Sequence, residues 1–337
     1  MYATTISSWA LLIWKALESY GCDARPLFEQ AGVDPKRLYD ANARYPVTSL
    51  TRLWNLATQA SADAAFGLTA ARFWHPTTFH ALGYAWLASE TLRDALERLV
   101  RYGRILSSAA SISLEETAHE VEFTLGSADT GVQPADAAID AALATILGMC
   151  RSSYGSHLNP LRVNLKRSVP VDRGAFSRVF RAPIRFGAPQ NRLSFDKTDL
   201  NTLLPTANAQ LARANDRIVT EYLARFDRGS IKIQLEAKLL EQLSSGHATQ
   251  ESIAKALNLS PRTLQRKLKE DGTTYKHLLD ATRRELAGQY VRQSQLTVNE
   301  ITFLLGFSEP ANFSRAFKRW NGVSPTEYRA SSAAAPM

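Results

Sequence analysis

Two short stretches late in the chain concentrate side chains that make paired or charged hydrogen bonds. The first offers Arg262, Thr263, Gln265, Arg266 and Lys269; the second offers Glu309, Asn312, Ser314, Arg315, Lys318 and Arg319. A guanidinium can hold guanine O6 and N7 with two bonds, and a Gln or Asn carboxamide can hold adenine N6 and N7 in the same way. Hydroxyls and cations suit phosphate oxygens. A single polar helix face of this kind is ordinarily just solvated, so the elements that carry the two stretches decide what they mean.

Those elements are an internal repeat. Ile253-Ala254-Lys255-Ala256-Leu257-Asn258-Leu259-Ser260 aligns with Ile301-Thr302-Phe303-Leu304-Leu305-Gly306-Phe307-Ser308 at an offset of 48 residues. Leu264 and Leu268 follow the first copy, and Phe313 and Phe317 follow the second with one extra residue. Ile253 and Leu257 lie four apart on one helix face, as do Ile301 and Leu305. Asn258 and Gly306 are the residue types that best tolerate the left-handed conformation ending a helix. Leu259 or Phe307 then turns back to the core, and Ser260 or Ser308 is expected to cap the next helix. Pro261 falls at a first helical position, where its missing N–H costs nothing. The pattern predicts helix, tight turn, helix, twice. Two such units in tandem, both basic and similarly built, favour nucleic-acid binding over a merely solvated surface.

Between them, Thr274 to Arg292 carries an apolar stripe of Tyr275, Leu278, Leu279, Leu286 and Val291. A helix of that length spans about 28 Å at ~1.5 Å per residue. Such a spacer could set two recognition helices roughly one duplex turn, ~34 Å, apart, so that one chain reads two successive major-groove segments.

Charge has the same distribution. Residues 230–337 hold 15 Lys+Arg against 10 Asp+Glu, a net of +5, and the other 229 residues hold 25 against 22, a net of +3. The densest run is Lys255, Arg262, Arg266, Lys267, Lys269, Lys276, Arg283, Arg284 and Arg292, opposed by Glu270, Asp271, Asp280 and Glu285. A net charge of +8 over 337 residues suits a polyanion. With 45% hydrophobic and 21% charged residues, a mainly disordered or fibrous chain is excluded. No apolar run approaches the ~20 residues that span a bilayer. The run from Trp9 to Trp14 lacks a basic stretch before it and a small-residue cleavage site after it, so no signal peptide is expected. Cys22 and Cys150 stand in no metal or redox spacing, consistent with reduced thiols in the cytoplasm.

On these residues the chain resembles the AraC/XylS family of bacterial transcription regulators. The resemblance is carried by Ser260-Pro261-Arg262-Thr263-Leu264-Gln265-Arg266-Lys267-Leu268 and by the run from Leu305 through Asn312, Phe313, Ser314 and Arg315 to Trp320. Gly322-Val323-Ser324-Pro325-Thr326-Glu327-Tyr328-Arg329 closes the domain as in that family. It covers about a hundred residues. The resemblance implies that Arg262, Gln265, Arg266, Asn312 and Arg315 face base edges, and that Lys269, Ser314 and Lys318 hold phosphates. It implies promoter DNA and RNA polymerase as partners, a small-molecule effector, and activation. Two positions depart from the family. Thr302 stands where alanine is common, with a hydroxyl that can bond back within its helix; Asn258 stands for a common glycine and keeps the turn chemistry.

Residues 1–228 read as an α+β domain for effector binding or dimerisation, 229–330 as the all-α DNA-binding domain with its two motifs on a linker helix, and 331–337 as a flexible tail. The boundary is expected at Phe226-Asp227-Arg228-Gly229-Ser230, after a helix from Thr206 to Arg225 with Leu211, Ile218, Tyr222 and Leu223 on its apolar side. That helix either joins a homodimer or packs on its own domain. Ser7–Tyr20, Ser49–Ala60, Thr91–Leu106 and Pro134–Cys150 are expected helices. Ile112 and Leu114, then Val121, Phe123 and Leu125, alternate as a hairpin does. Leu161–Leu165 and Arg192–Phe195 are further strands. Arg44-Tyr45-Pro46-Val47, Phe66-Gly67-Leu68 and the run Leu82 to Leu96 resemble the ornithine-utilisation-regulator subgroup. In that run Ser89 or Thr91 starts a helix, and Glu90, Arg93, Glu97 and Arg101 form its solvated face. The Gly/Pro-rich β pattern of a sugar-binding cupin is absent. No effector-binding residue can be carried over.

Enzymatic readings are weaker. Ser252-Ile253-Ala254-Lys255 spells a nucleophile–base spacing, but inside a helix-turn-helix. His75 and His80 lack a third ligand nearby, so no metal and no cofactor are expected. No phosphate-binding or dinucleotide glycine loop and no Gly-x-Ser-x-Gly elbow occurs. Some relatives fuse the DNA module to domains that need a reactive cysteine, which leaves Cys150 as the candidate for an enzyme with an accessory DNA-binding domain. An effector-independent regulator is the other alternative.

Overall fold

Alternation of Val121, Phe123 and Leu125 with polar neighbours sends every second side chain to one face, and this strand lies inside the sheet of the N-terminal unit. The computed structural model describes residues 3–128, 131–226, 231–243, 248–292 and 296–333. It divides at Val219 and Thr220 into two compact units. The expected boundary at residues 226–230 falls almost entirely outside the described residues, and the observed division lies earlier, within a helix.

In chain order the first unit contains β1 (Thr4–Ile6), α1 (Ser7–Ser19), α2 (Ala24–Ala31), β2 (Arg44–Pro46), α3 (Val47–Ser61), α4 (Phe66–Ala71), α5 (His80–Leu87) and α6 (Leu92–Tyr102). There follow β3 (Ala110–Glu116), β4 (Glu120–Ser127), α7 (Asp136–Tyr154), β5 (Arg162–Leu165), α8 (Arg173–Phe180), β6 (Ile184–Phe186), β7 (Asn191–Asp196), α9 (Lys197–Asn201) and the start of α10 (Ala209–Phe226), within which the division falls. The larger sheet has the order β3-β4-β7-β5-β6, with β5 and β6 parallel and the other pairs antiparallel. The hairpin puts Ile112 opposite Leu125 and Leu114 opposite Phe123. β1 and β2 form a separate antiparallel pair.

Local chemistry explains several boundaries. Thr91, not Ser89, starts α6, accepting a bond from Asp94 N at 3.1 Å. The helix stops at Tyr102 rather than Leu106, at Gly103, where a side chain would meet Ile112 Cδ1 at 2.5 Å. Arg93 is not on a solvated face: it pairs with Glu116 at 2.8 Å and donates to Asn201 Oδ1 at 2.7 Å. The motif residues are structural. Arg44 ties β2 to β1 through Thr4 Oγ1 at 2.8 Å and to Ile105 O at 2.5 Å. Gly67 lets α4 cross α7, because a Cβ there would sit 2.1 Å from Ala137 O.

α10 begins at Ala209, with the Asn208 side chain accepting from Leu211 N. Its buried side is Ala212, Val219 and Leu223, whereas Leu211 and Ile218, read as part of the apolar stripe, are 51% and 54% exposed. The true buried stripe includes the polar Asn215, Asp216 and Thr220, and Asp216 pairs with Arg98 at 3.2 Å.

The second unit continues with α11 (Ile231–Gln242), α12 (Gln250–Ala256), α13 (Pro261–Glu270), α14 (Tyr275–Arg292), α15 (Val298–Leu304), α16 (Pro310–Asn321) and α17 (Pro325–Ala333). Its apolar residues form two cores. One joins Leu235, Leu239, Ile253, Leu264, Leu268 and Leu278; the other joins Leu243, Ala287, Val291, Ile301, Leu305, Phe313 and Phe317. α14 contributes to both, so the linker helix is structural for each motif. α17 runs three residues into the expected tail, and 334–337 lie outside the described residues. No helix among the described residues is long and apolar enough to cross a membrane.

Candidate nucleic-acid interface

Each motif is set by capping and by one left-handed residue. Thr249 accepts from Ser252 N at 3.1 Å and Ser252 Oγ accepts from Thr249 N at 3.1 Å, a reciprocal box at the start of α12. Ser252 is thus engaged in capping, and its spacing to Lys255 follows from the helix start. Thr297 and Glu300 repeat the box at α15, and the bond from Thr297 N holds the Glu300 carboxyl below its ordinary range. Asn258 and Gly306 take φ of 55° and 65°, as the turn requires. At Gly306 the requirement is also steric, since a Cβ would lie 2.8 Å from Leu243 O. Thr302 is buried and its hydroxyl donates back to Val298 O at 2.7 Å.

The entries to the second helices differ. Ser260 caps α13 by accepting from Thr263 N at 3.1 Å, with Pro261 at the first helical position. Ser308 does not cap α16. The extra residue of the second copy puts Glu309 at that position and Pro310 at the first turn, and Glu309 makes no side-chain cap bond.

With Leu264 and Leu268 buried, α13 exposes Arg262, Gln265, Arg266 and Lys269. With Phe313, Ala316 and Phe317 buried, α16 exposes Arg315 and Lys318 and leaves Asn312 and Ser314 half-buried. Arg266 donates to Glu270 at 2.5 Å, one turn toward the C-terminus. Arg315 donates to Asn312 Oδ1 at 2.7 Å, one turn toward the N-terminus. Arg319 reaches Asp280 on α14 at 3.1 Å. Four cations and one acid give α13 a net +3; three cations and no acid give α16 the same. Both helices can therefore offer guanidinium and carboxamide groups to base edges and cations to flanking phosphates.

One member of the basic run has another job. Arg283 donates through Nε to Leu305 O at 2.9 Å and through Nη2 to Gly306 O at 2.6 Å, with its guanidinium 4.3 Å from the Phe307 ring centre. It satisfies carbonyls left open at the end of α15 and fixes the second turn on the linker helix. Burial lowers its pKa. Its place four after Leu279 and three before Leu286, on the apolar stripe, was the available signal. Arg329 similarly donates to Val291 O at 2.9 Å and Leu296 O at 2.7 Å, tying α17 to the end of α14.

The remaining candidate groups lie in the first unit. Cys150 is fully buried and burial pushes its thiol up to about 12, so a thiolate nucleophile is disfavoured there. Cys22 contacts Ala60 O at 3.6 Å. His75 caps the turn at Pro76–Phe79, and His80 lies 3.4 Å from Ser8 Oγ.

Residues 21–204 match the family described as the arabinose-binding domain of AraC transcription regulator, N-term, and residues 253–331 match a helix-turn-helix domain family. The ornithine utilization regulator of Pseudomonas aeruginosa is 29% identical over 92% of this chain and 91% of its own length. The HTH-type transcriptional regulator VqsM of the same organism is 26% identical over 82% of this chain and 87% of its own. Among solved structures, the transcriptional regulator CdpR from Pseudomonas aeruginosa aligns with 95% of this chain and 98% of its own at 21% identity, with a TM-score of 0.48.

Proposed function

The chain belongs to the AraC family of DNA-binding transcription regulators, and from that premise we propose that it is a cytoplasmic, sequence-specific activator controlled by a small-molecule effector. Residues 229–330 bind double-stranded promoter DNA, with α13 and α16 in successive major-groove segments. Arg262, Gln265, Arg266, Asn312 and Arg315 contact bases; Lys269, Ser314 and Lys318 hold phosphates. Residues 1–228 bind the effector, self-associate, or both. The effector acts by its higher affinity for the DNA-competent arrangement, and activation proceeds through contact with RNA polymerase.

The observation that carries this reading is the duplication: two helices, each after a tight left-handed turn, each over its own core and both packed on α14, each presenting a cationic face of net +3. α14 has 18 residues, about 27 Å at ~1.5 Å per residue. This falls short of one duplex turn, so the duplex bends or one helix makes the poorer contact.

The test is selection from a random-sequence duplex pool with the full chain at ~150 mM salt, where non-specific binding is screened. A bipartite site with halves about one turn apart is the expected product. On that site Arg266→Ala and Arg315→Ala should each cost ~1–3 kcal/mol and relax specificity at one position. Equal losses on random duplex would make both residues phosphate contacts. Enrichment of a single unsplit site would overturn the two-helix reading.

A second reading, an effector-independent regulator whose first domain only dimerises, draws on the exposed Leu211 and Ile218, two turns apart on one face of α10. Sedimentation of Leu211→Glu separates the two: a monomer that has lost DNA binding and responds to no metabolite would favour it.

A further inference from the structure

The first unit holds a cavity of about 130 Å³ between α3, α7 and the open end of the β3–β4 hairpin. Its walls include Trp9, Leu50, Trp54, Phe79, Ile139 and Ile146. Trp9 and Phe79 stand with ring centres 5.5 Å apart, forming an aromatic side to the space. No charged side chain lines it among the described residues. Its hydroxyls are largely committed: Thr5 donates to Leu106 O at 2.8 Å, Ser107 accepts from Ala109 N at 3.3 Å, and Ser127 donates to Ala128 O at 3.1 Å. Thr51 on α3 is the remaining lining hydroxyl.

We propose that this cavity binds a small, uncharged, mainly apolar molecule of about one substituted aromatic ring, and that this class of ligand is the effector. The second clause rests on the effector reading above; the first does not. Apolar cavities of roughly 150 Å³ take up a benzene ring and otherwise stay dry. A ligand pocket fixes orientation with a few convergent polar groups, and here the polar capacity is a few neutral hydroxyls, of which Thr51 and the proton of Ser107 are the least committed. A sugar carries a hydroxyl on nearly every carbon and would lose its water without replacement bonds. An amino acid would bring two unpaired charges to walls that offer no counter-charge. The arabinose in the description of the matched family and the ornithine in a relative's name therefore do not suit this space in this chain.

The experiment is calorimetric titration of the full chain with a matched series: toluene and benzyl alcohol, against benzoate, benzylammonium, arabinose and ornithine. Saturable binding of the two neutral aromatics is expected, with the ions and polar solutes at least tenfold weaker. Ala142→Phe, on the cavity face of α7, should abolish that binding while leaving the thermal midpoint of the free protein equal or higher. Thr51→Val should weaken benzyl alcohol and spare toluene. Absence of saturable binding by both neutral aromatics, or equal or better binding of either ion, overturns the ligand class; the wild-type series reads this whether or not the variant folds. Binding that survives in a folded Ala142→Phe places the ligand elsewhere and overturns the site. Repeating DNA titrations with saturating neutral ligand separates the two claims: cavity binding with unchanged DNA affinity leaves the ligand class standing and sinks the effector reading.

Discussion

In the first helix-turn-helix, Arg266 leans toward the end of its helix and onto Glu270; in the second, Arg315, at the equivalent position, leans back onto Asn312 near the helix start. Where the first copy has Glu270, the second has Arg319, which turns away to Asp280 of the linker helix. Recognition helices touch base edges with their N-terminal residues. On the base contacts proposed above, Arg315 is held near the start of its helix beside a carboxamide, and Arg266 would exchange an acid for a base edge. An exposed pair of this kind is worth only ~0.3–0.5 kcal/mol, so the restraint biases the first helix without disabling it. The cores differ as well. The first is built of leucine and isoleucine, whereas Phe307, Phe313, Phe317, Trp320 and Tyr328 meet in the second, with Phe313 and Phe317 at 5.7 Å and Phe317 and Tyr328 at 5.4 Å. Equal charge and equal topology therefore coexist with a mainly aliphatic copy and a ring-packed one.

The strongest way to break this comparison is in the cores. Phe313→Ala should cost ~3–5 kcal/mol and Leu264→Ala ~2–5 kcal/mol, with the phenylalanine the larger of the two. Chemical denaturation of the full chain, followed by far-UV dichroism, measures both; a larger loss at Leu264 would reverse the ranking. The turns come next. Gly306→Ala adds the ~1–2 kcal/mol of a left-handed alanine to a contact with Leu243 O, and Asn258→Ala incurs the conformational part alone. Melting of the two variants should place Gly306→Ala clearly lower, and equal midpoints would show that the backbone at Leu243 yields to the new methyl. The smallest effect sharpens the comparison at the interface. Glu270→Gln removes the acid that holds Arg266 and should tighten duplex binding by less than about 1 kcal/mol. Fluorescence anisotropy at two salt concentrations reads it, and unchanged affinity would mean that Arg266 is already free to leave.

The second unit was legible because its signals are local. A serine ahead of Pro261, an Asn or Gly at the turn and apolar residues four apart each act within a few residues of themselves, and the Ser260 cap and the φ values follow. The hairpin at Val121 to Leu125 was legible for the same reason. Ser308 misled because Ser260 and Ser308 occupy the same place in the repeat, while the extra residue moved the helix start to Pro310. α11 went unread because its value lies in distant partners: Leu235 and Leu239 complete one core, and Leu243, just after the helix, the other.

From its own residue order the chain determined where the helices of its two motifs turn, which of their faces are apolar, and that the turns repeat at 48 residues with a cationic helix after each. Those are consequences of backbone conformational preference and helical period, which need no partner. Tertiary packing alone decided that Arg283 holds a turn, that α10 buries Asp216 and exposes Ile218, and that seven helices and strands line a cavity with no charged side chain among the described residues. Each depends on groups brought together from far along the chain, and burial assigns a side chain its role only after those groups have met.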